Sequence, residues 1–190
     1  MSGPAPAPDP PPPDDPTPWV DRARDGDPAA WRALYDAHAG RLVLWLRQSP
    51  TGDPAADADD LAMEAWAVAA SKIADFHGDD DAFAGWLFGI ARNHVMNIRR
   101  RSARRATYAT ADLPETTLPM ETVTGPAETA EAIRQALAAL PQREGEAIAC
   151  IDVVDLDVET TARILGVSRP AVRMARQRGL KRLRASGWAL

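Results

Sequence analysis

Apolar residues recur at intervals of three and four over most of this chain, which is the spacing of helices with one buried face. In the stretch DGDPAAWRALYDAHAGRLVLWLRQ, Asp27 is placed to cap a helix and Pro28 to occupy its first position. The next helical stretch is DADDLAMEAWAVAASKIADF, in which Asp57 or Asp59 serves as the cap. These patterns predict two amphipathic helices.

A third helical stretch, AFAGWLFGIARNHVMNIRRRSARR, follows the acidic interruption HGDDD, and its arginines are concentrated at its far end. The spacing predicts one apolar face along this helix. That face consists of Phe83, Trp86, Leu87, Ile90, His94 and Ile98.

Two stretches without a helical period divide the chain. Residues 1–18 are rich in proline, which predicts a disordered or polyproline-like tail. Residues 106–125 hold threonine, proline and acids, a composition typical of a flexible linker. Helical patterns resume after the linker, and no stretch has a credible strand pattern. The sequence therefore predicts an all-α fold with two small helical domains, residues 19–105 and 126–190.

The last two helical patterns, VETTARILG and VSRPAVRMARQRGLKRLR, are separated only by a short turn, as in a helix-turn-helix. Gly166 suits the positive φ of a tight reversal, and Ser168 is placed to cap the second helix. Gly179 fits this pattern poorly, because glycine inside a helix costs up to about 1 kcal/mol relative to alanine, so it predicts fraying or a bend. The other positions that fit the template are Ala162, Leu165, Val167, Pro170, Val172 and Ala175.

The same template places one face of the second helix in a DNA major groove. We assign Arg169, Arg173 and Gln177 on that face to base edges, and the neighbouring cations mainly to phosphates. The candidate DNA-binding residues of this helix are Ser168, Arg169, Arg173, Arg176, Gln177 and Lys181.

Charge is sorted along the chain rather than mixed. The formal net charge is -5, yet residues 92–105 and 163–190 hold arginine and lysine without a single acid. Basic islands in an acidic background indicate a protein that binds a polyanion. The competing interpretation, in which these arginines only solvate helix faces, remains open at this stage.

The remaining composition narrows the class of protein. The single cysteine, Cys150, excludes an intramolecular disulfide, and its place on an apolar helical face predicts a buried, unreactive thiol. No apolar run is long enough to span a membrane, and the first residues lack the pattern of a secretion signal. We expect a soluble intracellular protein without membrane insertion.

Taken in order, these stretches resemble the sigma factors of RNA polymerase, specifically the extracytoplasmic-function group of the sigma-70 family. DADDLAMEAWAVAASKIADF looks like the family's region 2.2, and FAGWLFGIARNHVMNIRRRSARR looks like regions 2.3 and 2.4. ALAALPQREGEAIACIDVVDLDVETTARILGVSRPAVRMARQRGLKRLR is similar to region 4. The resemblance covers residues 20–184 and implies a cytoplasmic promoter-specificity subunit that has no enzymatic activity and needs no cofactor.

The resemblance also implies partners: core RNA polymerase, promoter DNA and an anti-sigma factor. In the family, the helix matching residues 59–76 docks on the clamp of the largest polymerase subunit, which points to Asp60, Met63 and Glu64. The terminal helix reads the −35 element, and the linker, with acids Asp112, Glu115 and Glu121, follows the RNA exit channel.

The loop matching residues 77–82 and the helix after it engage the −10 element in the family. The HGDDD sequence is unusually acidic for a loop that handles a DNA strand. Phe83 and Trp86 suit stacking on single-stranded bases, although both also stand at core spacing. The candidate −10 contacts are Phe83, Trp86, Arg92, Asn93, Asn97, Arg100 and Arg101.

Two other functions are consistent with parts of the sequence. A stand-alone helix-turn-helix regulator would bind duplex DNA without polymerase. A nucleic-acid-processing enzyme would need Asp79, Asp80 and Asp81 as a catalytic metal cluster, although adjacent acids diverge and suit helix capping better. The three histidines lack partners at zinc spacing, and no nucleotide-binding loop is present, so we predict neither metal nor catalysis.

Overall fold

The computed structural model describes residues 17–49, 51–53, 55–108 and 126–188. Most of the tail predicted for residues 1–18, and the linker acids Asp112, Glu115 and Glu121, lie outside the described residues. The first three residues predicted as linker, 106–108, are the end of a helix instead. A difference of this size is common at helix ends, because the last turn has few tertiary contacts to fix it.

All of the regular structure in the described residues is helical, which confirms the predicted all-α class. A 3₁₀ turn at Ile73–Asp75 and a π-helical turn at Ala149–Val153 extend two of the helices. The α-helices are α1 (Trp19–Arg24), α2 (Pro28–Arg47), α3 (Ala58–Lys72), α4 (Asp80–Tyr108), α5 (Pro126–Ala138), α6 (Gln142–Ile148), α7 (Val158–Leu165) and α8 (Arg169–Ala185). None of these described helices has the length and apolar character that a membrane-spanning segment requires.

Aspartate side chains cap the starts of α2, α3 and α7. Asp27 accepts a hydrogen bond from Ala29 N at 2.8 Å, with Pro28 in the first helical position as predicted. Asp57, rather than Asp59, caps α3. Asp157, which the sequence pattern did not single out, caps α7 through the amides of the next turn. Each cap of this kind contributes about 1 kcal/mol of helix stability.

Helix α4 is buried on two sides, which the prediction of one apolar face did not anticipate. Phe83 and Leu87 are fully buried as predicted, but the other four predicted positions are only half-buried. The additional buried residues are Ala84, Gly85, Phe88, Ala91 and Val95. The cause is α7, which packs against α4 at Gly85, where an added Cβ would lie 3.6 Å from Thr160 Cγ2. Packing from the C-terminal helices thus widens the buried surface beyond one stripe.

The prediction that Gly179 marks fraying or a bend is wrong about fraying, because α8 continues without interruption to Ala185. Gly179 is buried where α8 crosses α6. A Cβ at this position would lie 2.7 Å from Ile148 Cδ1 and 3.2 Å from Glu144 Cβ. Glycine therefore permits the close approach of the two helices, and this packing offsets its poor helix propensity.

Candidate nucleic-acid interface

The helix-turn-helix has the geometry that its sequence predicts. Gly166 adopts the left-handed conformation with φ 64°, and Val167 N donates to Ala162 O at 3.1 Å across the turn. Ser168 caps α8 by accepting a hydrogen bond from Ala171 N at 3.4 Å. Val172 and Ala175 are buried against α7 and the core. These local contacts fix which face of α8 remains exposed.

The residues assigned to base edges lie on that exposed face. Arg169, Arg173 and Gln177 are all exposed, as are Ser168 and Lys181. Arg176 is only half-buried and faces the acid Asp152. The exposed face presents guanidinium and amide groups, the types of side chain that read guanine and adenine edges in the major groove.

The absence of acids from residues 163–190 does not leave α8 without counter-charges, since three acids from other helices pair with it. Arg176 Nε donates to Asp152 at 2.8 Å, and Arg169 Nη1 donates to Glu159 at 3.3 Å. Glu144, which is buried, accepts from two more arginines. Arg178 Nε lies 3.1 Å and Arg182 Nε 3.0 Å from its carboxylate oxygens.

This pairing divides the cations of α8 into two groups. Within the part of the chain that the structure describes, Arg173, Lys181 and Arg184 form no ion pair with an acid. Arg173 is the base-edge candidate among them, and no described acid has to be displaced from it when it binds DNA. Arg169 has to give up its exposed ion pair with Glu159 before it contacts DNA, and such a pair contributes at most about 1 kcal/mol.

The second basic island forms the C-terminal half of α4. Arg100 is exposed and its Nη2 donates to Asn97 Oδ1 at 3.0 Å, while Arg101 is also exposed. Asn93 and Asn97 are exposed as well. Arg92, by contrast, is half-buried and pairs with Glu146 at 3.0 Å. Arg100 and Arg101 are therefore accessible to a phosphate, whereas the guanidinium of Arg92 is already paired with Glu146.

We expect replacement of both Arg100 and Arg101 by alanine to weaken promoter binding and reduce its dependence on salt. Each lost phosphate contact lowers the slope of log affinity against log salt by about 0.7 to 0.9, so the double variant should lose roughly 1.5. The measurement is promoter binding by the polymerase complex between 50 and 200 mM salt. Arg134→Ala, which removes a half-buried arginine paired with Glu131 on α5, is the control. An unchanged slope in the double variant would exclude both arginines as phosphate contacts.

Two of the three acids in HGDDD, at the start of α4, act as helix caps. Asp79 accepts from Ala82 N at 2.9 Å at the start of α4. Asp80 accepts from Val20 N at 2.8 Å and Trp19 N at 3.0 Å at the start of α1. Asp79 and Asp80 therefore have structural roles at helix starts, and Asp80 joins α1 to α4.

The two aromatic residues predicted to contact the −10 element have different environments. Phe83 is fully buried, so the structure places it in the core and removes it from the exposed candidates. Trp86 is half-buried and stacks on Phe76, with ring centroids 4.6 Å apart and planes inclined by 22°. The Phe76–Trp86 pair, which we call the Phe76–Trp86 platform, is thus a stacked pair of half-buried aromatic rings.

The residues predicted to dock on polymerase lie together on the exposed side of α3. Asp60, Met63 and Glu64 are all exposed, and Met63 has 62% of its surface accessible. Glu64 also pairs with His94 of α4 at 3.0 Å. Sequence reasoning missed Tyr35, which is 46% exposed and whose ring centroid lies 5.1 Å from that of Trp66, one helical turn from Met63. An aromatic residue at a non-core position of α2 was the available signal.

Comparison with protein families assigns both halves of the chain. The sigma-70 region 2 family matches residues 34–105, which include α3 and most of α4. The sigma-70 region 4 family matches residues 130–183, which include the helix-turn-helix. The two matches together cover the surfaces described above.

Relatives with similar sequences are sigma factors. The chain is 31% identical over 158 residues to the ECF RNA polymerase sigma factor SigM of Mycobacterium tuberculosis, covering 83% of this chain and 77% of that protein. It is 30% identical over 176 residues to the ECF RNA polymerase sigma factor ShbA of Streptomyces griseus, covering 87% and 92% of the two chains.

Two solved structures share the fold. One is CnrH in complex with the cytosolic domain of CnrY, with a TM-score of 0.65 and 24% identity over 88% of this chain and 93% of that chain. The other is the sigma factor RpoE in complex with the anti-sigma factor NepR from Bartonella quintana, with a TM-score of 0.56 and 21% identity over 80% and 96%. The sequence relatives and both family matches lead to one assignment: the chain belongs to the extracytoplasmic-function group of the sigma-70 family.

Proposed function

We propose that this chain binds core RNA polymerase and directs it to promoters through two separate DNA contacts. The observation that carries the proposal is the presence, in one chain of this family, of an exposed helix-turn-helix face and a second basic helix. Neither contact alone distinguishes a sigma factor from a simple regulator. In a stand-alone regulator, the basic half of α4 would bind no second DNA element. The exposed patch around Met63 of α3 would have no polymerase to bind.

The proposal assigns one binding partner to each of the three surfaces described above. Helix α8 would read the −35 element with Arg169, Arg173 and Gln177, while Ser168, Arg176 and Lys181 contact the backbone. The Phe76–Trp86 platform and the polar side chains of α4, including the half-buried Arg92 and Arg99, would engage the −10 element. The patch around Met63, with Asp60, Glu64 and Tyr35, would dock on the clamp of the largest polymerase subunit. Exposed methionine and tyrosine side chains suit a protein interface of this kind.

Regulation by an anti-sigma factor is part of the proposal, supported by the family and by the two structural neighbours, each of which was solved with a partner protein. The proposal places the protein in the cytoplasm, where the polymerase acts, and assigns it no catalytic step. Asp79 and Asp80 are consistent with this assignment, because their carboxylates accept hydrogen bonds from backbone amides at the starts of two helices.

The test combines the purified chain with bacterial core RNA polymerase and genomic DNA fragments, and sequences the 5′ ends of transcripts. We expect discrete start sites preceded by two shared motifs, and no such starts with core polymerase alone. Tight duplex binding without polymerase association or initiation, when a control sigma factor is active in parallel, would instead identify a stand-alone regulator.

A further inference from the structure

The two DNA-binding domains are packed against each other, and the contact uses arginines of the DNA-binding helix α4. Glu146 of α6 accepts a hydrogen bond from Arg92 Nη2 at 3.0 Å, and Arg99 Nη1 lies 3.9 Å from the same carboxylate. Gln142 Nε2 donates to Glu146 at 2.6 Å and also approaches Met96 Sδ of α4 at 3.2 Å. A carboxylate from region 4 thus occupies two cations of region 2.

An apolar contact and a backbone contact extend this packing. Cys150, in the π-helical turn of region 4, is fully buried, and Trp45 of α2 lies beside its thiol. Arg41 of α2 donates to Val154 O at 3.0 Å and to Asp155 O at 2.8 Å. We call the packing of region 4 against α2 and α4 the closed arrangement.

The closed arrangement and promoter binding compete for the same groups. A carboxylate and a phosphate are both anionic oxygen acceptors for arginine, so Arg92 and Arg99 serve only one of them at a time. The two promoter elements also lie at separate places along the duplex, whereas the closed arrangement holds α4 and α8 in one body. The 17 residues between α4 and α5 span up to about 60 Å when extended. The chain is long enough for the domains to separate.

We propose that Glu146 is an intramolecular competitor of promoter DNA: it holds the domains closed by occupying Arg92 and Arg99, and engagement with polymerase and promoter requires opening. This proposal rests on the proposed function, because it assigns α4 to DNA. It differs from that function in naming the residue that sets the balance between a closed and an open sigma factor.

The thiol of Cys150 can report whether the domains have separated. Cys150 is the only cysteine in the sequence, and in the closed arrangement its thiol is inaccessible to solvent. Burial also raises the pKa of the Cys150 thiol to about 12, so the reactive thiolate is scarce in the closed arrangement. Separation of the domains removes Trp45 from the thiol, and the rate of reaction with a disulfide reagent then reports the open population.

The experiment measures the labelling rate of Cys150 by an aromatic disulfide in the wild-type chain and in Glu146→Gln. Glutamine keeps the size of the side chain and removes its charge. Since hydrogen bonds to charged groups are the stronger ones, we expect labelling to accelerate about tenfold. Glu131→Gln is the matched control, because Glu131 pairs only with Arg134 and Gln135 of its own helix in the described structure, and it should leave the rate unchanged.

Two further measurements separate opening from unfolding and from a failure of the proposed function. Opening exposes much less surface than unfolding, so labelling in Glu146→Gln should depend only weakly on urea. Adding core polymerase with promoter DNA should accelerate labelling of the wild type. A rate in Glu146→Gln equal to that of the wild type, or one with the full urea dependence of unfolding, would overturn the closed-state role of Glu146. Failure of the proposed function would appear separately, as absence of initiation by the wild type and both variants.

Discussion

Replacement of Phe83 by alanine is expected to lower the free energy of unfolding by about 3 to 5 kcal/mol, the usual cost of removing a buried phenyl ring. The ring is fully buried and is surrounded by His38, Trp66, Phe76 and Trp86, with centroid separations of 5.6 to 6.1 Å. Alanine would leave a cavity that helices α2, α3 and α4 cannot close without moving. The loss is a large fraction of the total stability of a typical domain, which is roughly 5 to 15 kcal/mol.

Urea denaturation followed by circular dichroism measures this loss, and Trp86→Ala is the matched comparison. Trp86 is half-buried and stacks on Phe76, so its removal should cost less stability but should impair promoter melting. Phe83→Ala, assayed at a temperature where it remains folded, should melt the promoter normally. A stability loss below about 1 kcal/mol, together with defective melting by Phe83→Ala, would return Phe83 to the DNA contacts and remove it from the core.

The features that sequence predicted well are local ones. A helix start depends on a capping side chain and its next three amides, so Asp27 and Ser168 could be placed from spacing alone. The turn of the helix-turn-helix depends in the same way on Gly166. The buried thiol of Cys150 was also predicted, since an apolar helical face is usually turned inward.

What sequence could not supply are contacts between distant parts of the chain. Glu144 and Glu146 stand two residues apart, yet one pairs with arginines of α8 and the other with Arg92 of α4. No local pattern distinguishes them, because their partners are fixed by how α6 packs between the two helices. The absence of acids from residues 163–190 therefore does not reveal which arginines of α8 are paired. The packing of the two domains against each other likewise cannot be deduced from the hydrophobic periodicity of either domain's sequence.

The DNA-reading residues also depend on this long-range pairing, and Arg173 is the most informative of them. Replacement of Arg173 by alanine is expected to lower transcription by 5- to 150-fold at promoters whose −35 element supplies its base partner. This range corresponds to about 1 to 3 kcal/mol for one bidentate contact. Arg173 is exposed and forms no ion pair within the described residues, so its truncation leaves none of the described acids without a partner. The loss can then be attributed to DNA.

A panel of promoters with single changes in the −35 element, assayed with Arg173→Ala and Arg173→Lys, distinguishes base reading from charge. Lysine keeps the positive charge but lacks the planar fork of arginine, so a base contact should be lost in both variants and a phosphate contact largely retained by lysine. Arg169→Ala provides a second comparison, and we expect a smaller loss because the wild-type arginine first gives up Glu159. If Arg173→Ala reduces transcription equally at every promoter and lysine restores it, Arg173 contacts a phosphate. In that case the sequence specificity of α8 rests on Arg169 and Gln177, the two remaining exposed side chains assigned to base edges.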